Sequence, residues 1–420
     1  MSDDLSTKVV TVVDNGLFVD IALRIAPAFK KVYFWSPWQS AFPRSSTVLV
    51  GDGFDEIDRT RWLFDAIEKS DLIVFPDVYW QDLQVFLEKT GKLVWGSRKG
   101  EVLELNRAKT KELLKSLDLP VGPYEVVRGM RALRSYLLDH PNSWVKLSIN
   151  RGDAETFNSL TYDIIKPRLD QLEAQLGGKS ELAEFVVEDN LESEIEVGYD
   201  GFCIDGNFPK RSFMGYELKD EFFIGSVKDY KELPEFIRES NDKLAPFFAR
   251  HKYRGFYSSE LRVTKDKTAY LIDPCCRGAS PPHEIYLEIF DNWPEIFWYG
   301  AQGKLIDPNP VFKYGICAMM HSTFATKNWL PLHIPDDIRH LVKIRNWCRI
   351  DGVDYFVPQP DSELPEIGAL VAVSDSLEDA IEQLKENAER IQAYSLEIKI
   401  DGLDKGMEQV EAGKALGIEL

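Results

Sequence analysis

The sequence lacks the motifs that identify several common enzyme classes. It contains no GxxxxGK[ST] segment, which excludes a P-loop nucleotide site, and no GxGxxG follows its first apolar run. It contains no GxSxG, the usual signature of a serine hydrolase. Its six histidines show neither HxH nor HExxH spacing, which argues against a zinc enzyme. These absences leave the function to be inferred from more dispersed patterns.

Cysteine and long apolar runs are also scarce. The five cysteines are odd in number, scattered and without a CxxC pair, which argues against a disulfide framework or a zinc site. No run approaches the roughly 18–20 apolar residues of a membrane helix. The N-terminus, Met-Ser-Asp-Asp, has no apolar signal core. The sequence therefore predicts a soluble protein of a reducing, cytoplasmic setting.

Positive charge is in deficit over the 420 residues. Fifty basic side chains face 69 acidic ones, for a formal net charge of −19. This balance disfavours direct binding to nucleic acid or to an anionic membrane. A cleft can still be locally basic, so an anionic ligand such as ATP would need lysines and arginines gathered around it, or Mg²⁺.

The first hundred residues alternate between short apolar runs and amphipathic segments. Such alternation predicts strands and helices of a doubly wound, mostly parallel sheet. The predicted strands are residues 8–13, 32–35, 72–75 and 93–95, and the predicted helices are residues 18–29, 60–69 and 80–89.

The pattern changes after residue 105. Asn106 is a good N-cap for a helix that runs to Leu117. From Phe185 onward strands dominate, and Asp205-Gly206 marks a hairpin turn. Near the end of the chain, a strand precedes a helix capped by Ser376. The sequence thus predicts an antiparallel middle region and a further α+β unit.

Two separated lysines are candidates for binding phosphate. Lys109 lies in the first turn of the helix that Asn106 caps, and Lys146 lies in the apolar strand Val145-Lys146-Leu147. A lysine in an apolar strand is costly unless its ammonium group has a partner or reaches solvent. A triphosphate would supply such a partner. The alternative for Lys146 is an edge-strand side chain that extends to water.

An acidic segment at residues 188–197 joins two predicted strands. As a hinge, it would offer backbone N–H and C=O groups to the edge of an adenine. Glu194 and Glu196 share one face of the following strand, so either carboxylate could accept the hydroxyls of a ribose. The alternative is a solvated acidic hairpin without a ligand.

Two carboxylates lie on strands joined by a predicted turn at Asp266-Lys267. Glu260 is on the first strand and Asp273 ends the second. Converging carboxylates need a cation between them, and hard oxygen ligands favour Mg²⁺. Arg262 and Arg277 lie beside them and suit a phosphate or a developing oxyanion. The alternative is a surface cluster of ion pairs.

The order of these features resembles the ATP-grasp superfamily, which includes D-alanine–D-alanine ligase, biotin carboxylase and glycinamide ribonucleotide synthetase. The resemblance covers roughly residues 9–300, and the segment from Gly368 to Gly402 is similar to the C-terminal part of the glycinamide ribonucleotide synthetase group. It implies an N-terminal parallel-sheet domain at 1–100, a nucleotide-binding core at 101–300 with lobes 101–185 and 186–300, and a C-terminal α+β domain at 301–420.

The resemblance also implies roles for individual residues, together with ATP and Mg²⁺ as cofactors. Lys109 and Lys146 correspond to the lysines that bind phosphate, and Arg151 and Gly152 correspond to the phosphate loop. The adenine hinge corresponds to Glu188, Asp189, Asn190 and Leu191, and the ribose-binding carboxylate to Glu194 or Glu196. Glu260 and Asp273 match the metal ligands, Arg277 matches the arginine that faces an acyl phosphate, and Arg262 is assigned to help it. The match at Lys109 could instead fall on Arg107 or Lys111.

The implied activity is ATP-dependent joining of a small-molecule carboxylate to an amine, through an acyl phosphate. One departure weakens this expectation, because Asp273-Pro274-Cys275-Cys276-Arg277 replaces the family's Glu-x-Asn-x-Arg, and cysteine is a poor Mg²⁺ ligand. Two alternatives therefore remain, a small-molecule kinase and a non-catalytic protein that keeps the fold. The oligomeric state is open, with a homodimer as one option.

Overall fold

The computed structural model describes residues 3–37, 50–148, 156–193, 195–218, 221–358 and 366–420. The chain folds into two compact units. The first unit comprises residues 1–100, 196–260 and 275–420, and the second comprises residues 101–195 and 261–274. The chain therefore leaves the first unit twice to build the second.

The first unit begins with the predicted parallel sheet. Its strands are β1 (Val9–Val13), β2 (Lys31–Trp35), β3 (Asp58–Arg59), β4 (Leu72–Val74) and β5 (Leu93–Trp95), and its helices are α1 (Val19–Ile25), α2 (Leu63–Lys69) and α3 (Gln81–Lys89). The strands lie in the order β3-β2-β1-β4-β5, and all neighbours are parallel. The order in which the strands are added reverses between β1 and β4. Ligands of open α/β sheets bind at such a point, outside the carboxyl ends of the strands.

The second unit contains a four-stranded antiparallel sheet covered by helices. Its elements are α4 (Val102–Leu105), α5 (Arg107–Ser116), β6 (Tyr124–Arg128), α6 (Met130–Asp139), β7 (Ser143–Leu147), β8 (Thr156–Asn158), α7 (Tyr162–Leu176) and β9 (Glu184–Asp189). The strand order is β6-β9-β7-β8. Alternate residues of β7 and β9, with α6 and α7, form its core, which includes Leu133, Val145, Leu169, Phe185 and Val187.

The rest of the chain builds mostly antiparallel sheets. The elements are β10 (Ile195–Ile204), β11 (Arg211–Leu218), β12 (Phe222–Asp229), α8 (Glu235–Arg250), β13 (Arg254–Val263), β14 (Ala269–Cys275), α9 (His283–Ile289), α10 (Trp293–Ala301), β15 (Tyr314–Ser322), β16 (Leu330–Leu332), β17 (Val342–Ile344), β18 (Trp347–Ile350), β19 (Val353–Phe356), β20 (Glu366–Ser374), α11 (Leu377–Ala388), β21 (Leu396–Ile398) and α12 (Gly402–Leu416). In the first unit the strands lie in the order β13-β10-β11-β12-β15-β20-β17, with β21 paired to β15, and β16-β19-β18 form a separate sheet.

The predicted fold class is confirmed, with a parallel sheet at the N-terminus and antiparallel sheets after it. Both predicted helix caps are also confirmed. The Asn106 side chain accepts a hydrogen bond from the Lys109 backbone N–H at 3.1 Å, and Ser376 accepts one from the Asp379 N–H at 3.2 Å. In the described part of the chain, no helix is both long and apolar enough to cross a membrane.

Candidate functional site

One face of the four-stranded sheet in the second unit carries polar side chains. Side chains alternate between the two faces of a strand, so the faces of β7 and β9 can be read from their register. Val145 and Val187 pair with each other and face the core, whereas Lys146 pairs with Val186 and Trp144 pairs with Glu188 on the opposite face. Lys146 and Glu188 are thus diagonal neighbours on this second face.

Two lysines converge on the Glu188 carboxylate. The Lys111 Nζ lies 3.1 Å from Glu188 Oε2, and the Lys146 Nζ lies 3.5 Å from Glu188 Oε1. The Lys146 Nζ also donates a hydrogen bond to the Ile272 carbonyl at 3.1 Å. All three charged side chains are buried. Lys146 therefore has partners, as its apolar strand requires, and does not behave as an exposed edge lysine.

A third cation completes the cluster from the same helix as Lys111. Arg107 is buried, and its Nη1 lies 3.4 Å from Asp273 Oδ1 on β14. Arg107 and Lys111 are four residues apart on α5, so they share one face of the helix. These side chains, with Lys146, Glu188 and Asp273, line a small cavity. We name this set of five residues the cation cluster.

The charged groups of the cation cluster shift one another's pKa values. Burial raises the pKa of Glu188, but the ammonium groups of Lys146 and Lys111 outweigh burial and hold this pKa below its usual value. Burial lowers the pKa of Lys111, and Lys146 lowers it further, against the opposing effect of Glu188. The buried Glu104 also lines this cavity, so three cations face three carboxylates and the formal charge of the lining is zero. The site nevertheless gathers three cations in one place, in a protein of net charge −19.

The structure does not bring Lys109 into this cluster. Lys109 is exposed, whereas Arg107 and Lys111 on either side of it are buried. At about 100° per residue, position 109 lies on the opposite side of α5 from position 114, whose leucine is fully buried. Among the alternatives considered from sequence, Arg107 and Lys111 are therefore the residues that face the cavity.

The predicted adenine hinge lies at the end of β9, a central strand of the same sheet. Glu188 and Asp189 end β9, and the chain then leaves the strand. The Asp189 N–H donates to the Pro123 carbonyl at 3.1 Å, and the Trp144 indole N–H donates to Asn190 Oδ1 at 2.9 Å. The Leu191 side chain packs against Gly122. The segment is therefore held at several points, with Glu188 beside the cation cluster.

The other predicted site residues are spread over both units. In the first unit, Glu260 is half-buried on β13, and the Glu196 N–H donates to Gln409 Oε1 at 3.3 Å. In the second unit, the Arg262 guanidinium lies 5.6 Å from the centre of the Trp144 ring. Arg151, Gly152 and Glu194 lie outside the described residues.

Arg277, in the first unit, begins a loop anchored by a buried ionic network. Its Nη1 donates to the Gly278 carbonyl at 3.1 Å. At the start of α9, which follows this loop, His283 Nδ1 lies 3.1 Å from Glu284 Oε2, and His283 Nε2 lies 3.5 Å from Asp20 Oδ2. Burial lowers the pKa of His283, but Glu284 and Asp20 outweigh it and raise this pKa to about 9. His283 is thus a buried cation whose ion pairs anchor the end of this loop.

A buried carboxyl lies at the carboxyl edge of the parallel sheet, directly after β1. Asp14 is fully buried, and its Oδ2 accepts hydrogen bonds from the N–H groups of Gly16 at 2.8 Å and Phe18 at 2.9 Å. Burial, and then the charge of Asp77, raise the pKa of Asp14 to about 7. In the sequence, Asp14 is recognisable only as a turn residue after a strand.

We expect an Asp14→Asn variant to be more stable than the wild type at pH 8 but not at pH 5. Because the folded pKa is raised, Asp14 stabilises the fold fully below its unfolded pKa, and this contribution is lost as pH rises through about 7. The loss amounts to roughly 4 kcal/mol at most. The midpoints of thermal unfolding at the two pH values test this. An equal change in midpoint at both would contradict the assigned pKa.

Comparison with known proteins shows the fold but no close relative. No family model matches the chain, and no curated protein matches it by sequence. Phosphoribosylamine–glycine ligase from Thermotoga maritima superposes with a TM-score of 0.70 at 14% identity, over 94% of this chain and 99% of that one. Biotin carboxylase from Campylobacter jejuni, solved as a β,γ-ATP complex, superposes with a TM-score of 0.65 at 14% identity, over 95% of each chain. N5-carboxyaminoimidazole synthetase from Staphylococcus aureus, complexed with ADP, superposes with a TM-score of 0.59 at 13% identity, over 92% of this chain and 98% of that one.

Proposed function

We propose that this chain, which has the ATP-grasp fold, is an ATP-dependent ligase that joins a small-molecule carboxylate to an amine. The observation that carries the proposal is the cation cluster, where Arg107, Lys111 and Lys146 are held together in the second unit next to the predicted adenine hinge. The solved structures with this fold include complexes with ATP and ADP. The three-domain division at residues 100 and 300 is part of this proposal.

The cation cluster fits the phosphates of a nucleotide. Arg107 Nε and Glu188 Oε1 are buried and have no hydrogen-bond partner among the described residues. A phosphate oxygen could accept a hydrogen bond from Arg107 Nε, and an amino group of a nucleotide base could donate one to Glu188 Oε1. The space left among the side chains is about 10 Å³, room for one water molecule. Lys111 and Lys146 must therefore turn from Glu188 toward the phosphates as the nucleotide enters.

We assign Asp273 to an Mg²⁺ ion that would have few other protein ligands. The Asp273 carboxylate is the hard oxygen donor that Mg²⁺ prefers, whereas Cys275 offers sulfur. No group of three or more His, Cys, Asp or Glu side chains in the described ranges could hold a metal ion. The ion would therefore keep waters and nucleotide phosphate oxygens in its other positions, and it would supply neutralisation of the phosphate charge.

The proposed reaction has two steps. A carboxylate oxygen of the acid attacks the γ-phosphorus of ATP, which forms an acyl phosphate and releases ADP. The amine then attacks the acyl carbon, and inorganic phosphate leaves as the amide bond forms. Lys111, Lys146 and Arg107 orient the phosphates, and we assign Arg277 to the oxyanion of the second step. The Arg262 guanidinium lies 5.6 Å from the centre of the Trp144 ring, and its role as a helper of Arg277 at that oxyanion stays a prediction.

An ADP-release assay with a panel of carboxylic acids and amines tests this function. We expect ADP to form quickly only when an acid and an amine are both present, because the acyl phosphate must be consumed before the next turnover. A stable phosphorylated product formed without amine would instead indicate a small-molecule kinase. If the chain binds Mg-ATP but no acid–amine pair in the panel supports ADP release, a non-catalytic nucleotide-binding protein is favoured. Cys275 would explain this loss of catalysis, because cysteine is a poor Mg²⁺ ligand.

A further inference from the structure

Trp144 lies on the face of the second unit's sheet that carries Lys146 and Glu188. It precedes Lys146 by two residues on β7 and pairs directly with Glu188 on β9, so all three side chains share one face. The indole is half-buried. A large aromatic side chain that pairs with the first residue of the predicted hinge is placed where it can control how the hinge sits.

The indole binds the hinge through its polar edge. Its N–H donates to Asn190 Oδ1 at 2.9 Å, and Asn190 is the first residue after β9. The backbone on either side of Asn190 is held by the Asp189–Pro123 hydrogen bond and by the packing of Leu191 against Gly122. The Trp144–Asn190 bond is a side-chain contact at the centre of this segment.

The face of the indole has its own partner. The Arg262 guanidinium lies 5.6 Å from the ring centre, within the range of a cation–π interaction. Arg262 lies at the end of β13, in the part of the strand that belongs to the second unit. The ring is therefore held both by its N–H and over its face, so it can act as a fixed support for Asn190.

We propose that Trp144 is a positioning residue that sets the selectivity of the site for the nucleotide base. It acts through Asn190, because it fixes the backbone N–H and C=O groups of residues 188–191 that would read the edge of an adenine. This inference rests on the proposed function, since it requires a nucleotide at the cation cluster. It predicts that loss of the indole N–H loosens the recognition of the base and leaves the recognition of the phosphates intact.

The test compares Trp144→Phe, which keeps an aromatic ring over Arg262 but lacks the N–H, with Asn190→Leu, which removes the acceptor. Binding of Mg-ATP, Mg-GTP and magnesium tripolyphosphate is measured by calorimetry for each variant and for the double variant. We expect the preference for ATP over GTP to fall about five-fold in each single variant, as for one lost hydrogen bond. We expect no further fall in the double variant and no change for tripolyphosphate.

Trp62→Phe is the matched control, because Trp62 is 72% exposed and lies in the first unit. It should leave all three affinities unchanged. An unchanged preference for ATP in both single variants would overturn the inference, as would additive effects in the double variant or a parallel loss of tripolyphosphate binding. If the wild type binds no nucleotide at all, the proposed function fails together with the inference. If the wild type binds ATP and the preference does not move, only the inference fails.

Discussion

Lys111→Met is expected to weaken the binding of Mg-ATP by about 10–100-fold, whereas Lys109→Met on the same helix changes it by less than about two-fold. The difference arises because Lys111 is buried in the cation cluster and Lys109 is exposed. Loss of one charged hydrogen bond to a phosphate corresponds to about 1.5–3 kcal/mol. Methionine keeps most of the apolar stem of the lysine, so packing is largely retained. Calorimetric titration of both variants measures the effect.

This pair of variants also separates binding from folding. Lys111→Met leaves Glu188 with Lys146 as its remaining cation, so some loss of stability is expected. Thermal unfolding of each variant, alone and with saturating nucleotide, corrects for that loss. The prediction would be wrong if Lys109→Met had the larger effect on affinity, because the phosphates would then lie on the exposed side of α5.

Asp273→Asn is expected to lower the turnover of ADP release by about 100-fold and to raise the Mg²⁺ concentration needed for half-maximal activity. A carboxylate that neutralises phosphate charge through a metal ion contributes several kcal/mol to the transition state, and an amide oxygen is a weaker ligand. Measurement of turnover as a function of Mg²⁺ concentration separates loss of the metal from loss of the fold. Glu260→Gln is expected to lower turnover as well.

The matched control for Asp273→Asn is Asp266→Asn. Asp266 is exposed in the turn that joins β13 to β14, so it carries the same chemical change on the same hairpin. It should leave both turnover and Mg²⁺ dependence unchanged. Unchanged turnover in Asp273→Asn would remove the basis for a metal ion at Asp273, and unchanged turnover in Glu260→Gln would remove the basis for a metal-binding role of Glu260.

Much of the fold follows from local patterns in the sequence. The apolar runs of β1, β4 and β5 are short and flanked by turn signals, and each forms a buried parallel strand. The caps at Asn106 and Ser376 are local hydrogen bonds, so they too could be predicted. Local patterns do not show that residues 261–274 return to the second unit, because that depends on contacts between distant segments.

The site could be predicted only in part. Lys146 was identified because a lysine in an apolar strand needs a partner, and the structure supplies Glu188. The choice between Lys109 and Lys111 depends on which side of α5 is buried. Leu113, Leu114 and Leu117 together leave that side ambiguous in the sequence, and only the structure shows that Leu114 is the fully buried one. The burial and raised pKa of Asp14 could not be predicted, since an aspartate after a strand is most simply a turn residue.

A calorimetric titration of the wild-type chain with Mg-ATP, followed by the same titration of Lys111→Met, is the most direct test of phosphate binding at the cation cluster. We expect the wild type to bind Mg-ATP and the variant to bind it about 10–100-fold more weakly, as for the loss of one charged hydrogen bond. If the wild type shows no heat of binding at millimolar Mg-ATP, the cation cluster is a structural ion-pair network and the proposed ligase function is contradicted.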